Sequence, residues 1–131
     1  MINPDKALEI ILNSKVSLEH ETINVINSLG RVISSDIYSS IDFPAFDKSS
    51  MDGYAYNSSD NISSFKVVET IPAGYVPQKT LNAGECSKIM TGAMIPDGSN
   101  KVVRVEFIEE KDGLIHITQE EQSNNIYYKG Q

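Results

Sequence analysis

The sequence predicts an α+β protein with short N-terminal helices followed by a β-dominated lobe. Two observations carry that expectation. Apolar residues recur at helical spacing only before Gly30, and after it the chain turns to β-branched runs separated by Gly, Pro and Asp-Gly signals. Helices first and strands afterwards argue against alternating βαβ units. We place the boundary at 42/43, giving a helical and extended segment over 1–42 and a β-rich lobe over 43–131.

The first helix is predicted to start at Asn3-Pro4-Asp5. Asparagine caps, proline suits the first helical position, and aspartate favours the positive end of the dipole. Leu8, Ile11, Leu12 and Val16 then share one face. A second short helix is expected from Ser17 or Leu18 to Leu29, with Gly30 after its last turn. "RVISSDIYSSI" reads as extended chain. "FKVVET" (65–70), "SKIM" (87–90) and "KVVRVEFIEE" read as strands, the last with Val103, Val105 and Phe107 alternating against Val102, Arg104 and Glu106. Asp112-Gly113 should turn the chain into "LIHITQE", its hairpin partner. There is no internal repeat and no low-complexity segment.

Composition narrows the function classes. The chain has 131 residues and a formal charge of −7, from 18 acidic and 11 basic residues without a basic cluster, so nucleic acid is not an expected partner. No run of about 18 apolar residues exists to cross a membrane. The start, Met1-Ile2-Asn3-Pro4-Asp5, lacks the pattern of a signal peptide. The single cysteine, Cys86, fits a reducing cytoplasm and reads as a small half-buried thiol, not a nucleophile. His20 and His116 have no metal-like spacing, and His116 is expected on the polar face of a strand.

Two loops stand out. "FPAFDKSSMDGYAY" places Asp47, Ser49, Ser50 and Asp52 among Phe43, Phe46, Met51 and Tyr54. Carboxylates are hard ligands for Mg²⁺, and hydroxyls serve a metal or a phosphate. The same residues also suit two ordinary turns, one of them at Asp52-Gly53, although an exposed turn has no need of so much apolar anchoring. "IMTGAMIPDGSN" sets Thr91 before the small residues Gly92 and Ala93, where consecutive N–H groups can cradle an anion. It too has a plain reading, a strand end followed by a Pro96-Asp97-Gly98 turn. Spacing alone leaves both pairs of readings open.

Both loops resemble the signature segments of the MoeA family, the molybdopterin molybdenumtransferases, which includes the E domain of gephyrin. Leu29-Gly30-Arg31-Val32 and Pro44 through Ala55 match the first segment, with Ser50 where alanine is usual. Ile89-Met90-Thr91-Gly92-Ala93, Ile95-Pro96, Gly98, Val102-Val103 and Glu106 match the second. The resemblance covers the chain from about Pro4 to Gly130 and implies the fold of the family's N-terminal subdomains I and II. It implies insertion of molybdate into adenylylated molybdopterin with release of AMP, in molybdenum cofactor biosynthesis, with Mg²⁺ as the cation. On the matching positions it implies catalytic roles for Asp52 and Thr91, with Asp52 at the metal directly or through water. It places Asp47, Ser49, Ser50, Gly53, Gly92 and Ala93 at the substrate. It further implies a homodimer whose cleft is shared between subunits and a MogA-like domain, which with the family's C-terminal domain is absent from these 131 residues. The chain is therefore expected to be a fragment without turnover of its own. The sequence departs from the family at "NNIYYKGQ", where Tyr127 replaces an arginine and Gln131 a glutamate. A non-catalytic binding or assembly module using the same loops is the rival expectation.

Overall fold

A computed structural model of the chain describes residues 2–14 and 16–131. Met1, at the start read against a signal peptide, and Lys15, within the predicted helical stripe reaching Val16, lie outside them. The chain divides into two compact units, Met1–Tyr38 and Ser39–Gln131.

In the first unit the α-helix α1 spans Pro4–Asn13. It starts as the sequence predicts: the Asn3 side chain accepts from the Asp5 N–H at 2.9 Å, and Pro4 opens the first turn. None of its side chains is buried. The second predicted helix is not there. Between Ser17 and Leu29 the only helical turn is a 3-10 turn at Val25–Asn27, capped by Asn24. A short helix is marginal without an apolar face to bury, and Ile26 and Leu29 are 83% and 98% exposed. Gly30 nonetheless has the positive φ, 80°, expected of it.

The second unit is built on eight strands. β1 (Lys48–Ser49) pairs antiparallel with β8 (Ile126–Tyr127). The other six are β2 (Gly53–Tyr56), β3 (Ser64–Ile71), β4 (Glu85–Ile89), β5 (Lys101–Arg104), β6 (Ile108–Lys111) and β7 (Leu114–Ile117). They form one sheet in the order β5-β2-β4-β3-β7-β6. All its pairings are antiparallel except β3–β4, which is parallel and carries a register shift between Val67 and Glu69. The class is thus α+β in a lopsided form, mostly strand with one short α-helix among the described residues.

Successive residues of a strand point to opposite faces, and this sheet buries both. Tyr54, Tyr56, Phe65, Cys86, Val103 and Ile115 form one apolar cluster, in which the Tyr56 and Phe65 rings lie 5.1 Å apart. Ala55, Ile71, Ile89, Ala93 and Val102 form the other. That arrangement corrects the expectation for "KVVRVEFIEE". Val102 and Val103 are both buried, one in each cluster, and the strand breaks at a 3-10 turn over Val105–Phe107. Val105 is 42% exposed instead of lining a continuous apolar face. The hairpin that follows is as predicted, with Asp112 and Gly113 at φ 54° and 77° and Lys111 paired to Leu114. His116, half-buried, lies 2.8 Å from the Ser64 hydroxyl.

Cys86 is fully buried, not half-buried, because β4 is an interior strand. Burial pushes its thiol up to about 12. Burial, then the hydrogen bond to Glu110, pushes Tyr54 up to about 12 as well. Both groups fold in their protonated form, so their stability is intact below their unfolded pKa values and is lost as pH rises toward the folded ones. Urea unfolding between pH 8 and 12 should show stability falling with pH by roughly 1.4 kcal/mol per unit for each group titrating only in the unfolded state. Cys86→Ala should remove the part of that slope that begins near pH 9. A slope identical in the variant would contradict the assignment. The Ser87 hydroxyl is also buried and finds no hydrogen-bond partner among the described residues. Ser87→Ala should therefore raise stability by about 1 kcal/mol, and a lower urea midpoint would contradict this.

Candidate functional site

Three chain segments are laced together at one end of this unit. The first is the loop from Asp47 to Asp52, the second runs from Met90 to Ile95, and the third from Asn124 to Lys129. Backbone bonds join the first two: Ser49 N–H donates to the Ala93 carbonyl at 2.9 Å, Gly92 N–H to the Ser49 carbonyl at 2.8 Å, and Ile95 N–H to the Asp47 carbonyl at 3.0 Å. The third segment adds the β1–β8 ladder, a bond from Ser50 N–H to the Asn125 carbonyl at 3.0 Å, and one from Lys129 N–H to Asp47 Oδ1 at 2.8 Å.

At the exposed edge of this lacing, Asp52 and Thr91 meet although they are 39 positions apart. Thr91 donates to Asp52 Oδ1 twice, from its N–H at 2.6 Å and from its Oγ1 at 2.7 Å. These bonds, the backbone one first, hold the Asp52 carboxyl below the usual carboxylate range. The side chain is therefore an anion at neutral pH. Among the described residues no hydrogen bond reaches its second oxygen.

The other predicted residues fall into different surroundings. Ser49 is 1% exposed, and its hydroxyl donates to the Met51 carbonyl at 2.6 Å. Asp47 caps the Lys129 amide. Gly53 is the first residue of β2, not the second half of a turn, and lies between Ile89 and Arg104 of the flanking strands. A Cβ there would sit 2.0 Å from the Val103 carbonyl oxygen, so only glycine permits this approach. Gly92 has φ 82°, and Ala93 is fully buried. The second loop does not form the amide cradle the sequence suggested. The N–H groups of Thr91, Gly92 and Ala93 are already spent on Asp52 Oδ1, the Ser49 carbonyl and the Met90 carbonyl. The Pro96-Asp97-Gly98 turn is present, with Ser99 N–H donating to Pro96 at 3.3 Å. Nor do all the aromatic residues anchor the first loop inward. Tyr54 is buried, but Phe43 is 77% exposed.

Two supporting residues were not singled out from the sequence. The Glu121 side chain is 4% exposed and accepts from the Arg104 N–H at 3.1 Å and its Nε at 2.8 Å. Burial alone would raise its pKa, but the bonds from Arg104 and Asn125 outweigh it and leave the carboxyl lowered. Arg104 pairs with Gly53, so this clamp fixes the strand end beside Asp52. Glu121 lies in the polar run "TQEEQSNN", whose spacing carries no sign of burial. Lys48 is the other: its Nζ lies 5.6 Å from the Phe43 ring centroid and 5.8 Å from that of Tyr127.

The β-rich unit thus presents an ionised carboxylate and a hydroxyl side by side on two interlocked loops. Comparison with known proteins gives the lineage. The pattern of the MoeA N-terminal region (domain I and II) matches residues 2–131, and the chain belongs to that family. It is 37% identical to a molybdopterin molybdenumtransferase of Staphylococcus epidermidis over 112 residues, covering 80% of this chain and 27% of that protein. It is 36% identical to the Staphylococcus aureus protein of the same description, covering 96% of this chain and 32% of that protein. Two crystal structures of the molybdopterin biosynthesis MoeA protein from Pyrococcus horikoshii superpose on 96% of the chain. Their TM-scores are 0.71 and 0.76, with identities of 34% and 29%. The chain spans about a third of the length of each.

Proposed function

We propose that this chain supplies the Asp52–Thr91 part of the active site of a molybdopterin molybdenumtransferase. The reaction is insertion of molybdate into adenylylated molybdopterin with loss of AMP, in the cytoplasm. The observation that carries the reading is the doubly bonded, solvent-facing Asp52 carboxylate. Thr91 occupies one oxygen and fixes the carboxylate's orientation, and the second oxygen faces solvent for a cation or a polar substrate group.

Mg²⁺ fits this donor set in one mode. It is commonly held by one or two carboxylates, with waters and substrate phosphates completing the octahedron. Among the described residues no group of three or more His, Cys, Asp or Glu forms a dedicated cage, so Asp52 would be the chain's contribution. Bound there, Mg²⁺ would offset the charge of the adenylyl phosphate. The homodimeric partner and a MogA-like domain belong to this proposal as the sources of the remaining substrate contacts. Ser49, Gly53, Gly92 and Ala93 serve the substrate indirectly, by holding the two loops in register.

A second reading, a non-catalytic binding or assembly module, has one observation in its favour: the amides of the second loop are all internally bonded. Asp52→Asn and Thr91→Ala, each in the complete transferase, separate the two. Lost AMP release with a normal fold supports the enzyme. Unchanged AMP release with lost partner binding supports the module.

A further inference from the structure

We propose that Lys48, held between Phe43 and Tyr127, binds a tetrahedral oxyanion of the phosphate class at this same site. The inference rests on the enzymatic reading above and names a contact which that reading lacks. The Lys48 ammonium stands over two aromatic rings and has no carboxylate partner within salt-bridge distance among the described residues. Ring faces attract a cation without neutralising it, and all three ammonium donors stay available. The acidic neighbours are otherwise engaged: Asp42 pairs with the Lys129 ammonium at 3.4 Å, and Asp47 Oδ1 accepts the Lys129 amide. In a chain of net charge −7, Lys48 is thus a cation beside the proposed site that no carboxylate of the described residues pairs with.

Position supports the same ligand. Lys48 pairs with Tyr127 and bridges to Met94, so it lies on the same laced loops as Asp52 and Thr91. Four residues of chain span at most about 14 Å, so one elongated molecule can touch both Lys48 and Asp52. Phe43 and Tyr127 are 77% and 51% exposed. Their surfaces suit the planar part of a heteroaromatic phosphate ester, while the ammonium alone suffices for a free oxyanion such as molybdate.

The test is NMR titration of the isotope-labelled chain, at low salt, with 5′-AMP and separately with sodium molybdate. Saturable shifts at Phe43, Lys48 and Tyr127 are expected for at least one of them. Lys48→Met should weaken that binding roughly tenfold or more, Lys48→Arg should restore most of it, and Lys66→Met on β3 should leave it intact. Tyr127→Leu should weaken only 5′-AMP if the ring stacks on a base, which separates a phosphate ester from a free oxyanion. Retained spectral dispersion in Lys48→Met shows that folding is not the cause. No saturable binding of either anion, or equal binding by Lys48→Met, overturns the proposal. Failure of the enzymatic reading shows elsewhere, as AMP release that survives Asp52→Asn in the complete transferase.

Discussion

Gly53→Ala is expected to destabilise the β-rich unit by at least about 3 kcal/mol. The new Cβ would stand 2.0 Å from the Val103 carbonyl oxygen, 2.9 Å from its carbonyl carbon and 3.2 Å from the Arg104 Cα. All three are backbone atoms, so no side chain can swing away. Relief requires β5 to part from β2, which breaks the Gly53–Arg104 pairing and pulls on the Glu121 clamp. The same displacement moves Asp52, whose carbonyl accepts from Val105 N–H. Urea unfolding followed by circular dichroism measures the loss. A wild-type midpoint in the variant would show that the strands are not so tightly apposed.

The second large effect is on activity. Asp52→Asn keeps an oxygen able to accept both Thr91 bonds, so the loops should stay together while the negative charge disappears. In the complete transferase we expect AMP release to fall about 10²–10³-fold. Thr91→Ala removes the hydroxyl donor but retains the amide, and should cost about tenfold. The double variant should resemble Asp52→Asn alone, because both changes act through one carboxylate oxygen. Strict additivity would argue that the two residues act separately. The lowered pKa adds a pH expectation. The contribution of the ionised carboxylate to stability is present above the unfolded value of about 3.8 and is lost only as pH falls through the lower folded one. Asp52 therefore sets no limb of a pH–rate profile near neutrality.

Local signals are legible in this sequence and distant ones are not. Asn3, Pro4 and Asp5 marked a helix start because capping needs only adjacent residues. Asp112-Gly113 marked a hairpin because its turn needs two positive φ angles. The strand over Ser64–Ile71 was legible, but its parallel pairing with β4 was not, since the connection between them carries no periodic signal. "KVVRVEFIEE" misled because a sheet buried on both faces hides alternation. The helix expected before Gly30 is absent, and the Ile26 and Leu29 side chains that would have formed its apolar stripe are exposed. At the site, spacing left Asp52 and Thr91 as turn residues or ligands alike. The family resemblance implies one shared cleft for them, and in the fold Thr91 donates to Asp52 at hydrogen-bond distance. The consumed amides of Thr91, Gly92 and Ala93 were invisible, because their acceptors lie elsewhere in the chain or depend on the loop's exact bend.

The lacing of the site has a consequence for how the protein is made. Synthesis proceeds from the N-terminus, so the Asp52 loop leaves the ribosome long before its partners. Ser49 must wait for Ile126 to complete its short ladder. Until β5 is also made, Tyr54 and Ala55 of β2 lack the Val103 and Val102 partners they pair with. The nascent chain thus passes through a stage at which its motif is fully translated yet inert, and it is then that chaperone capture or misassembly competes with maturation.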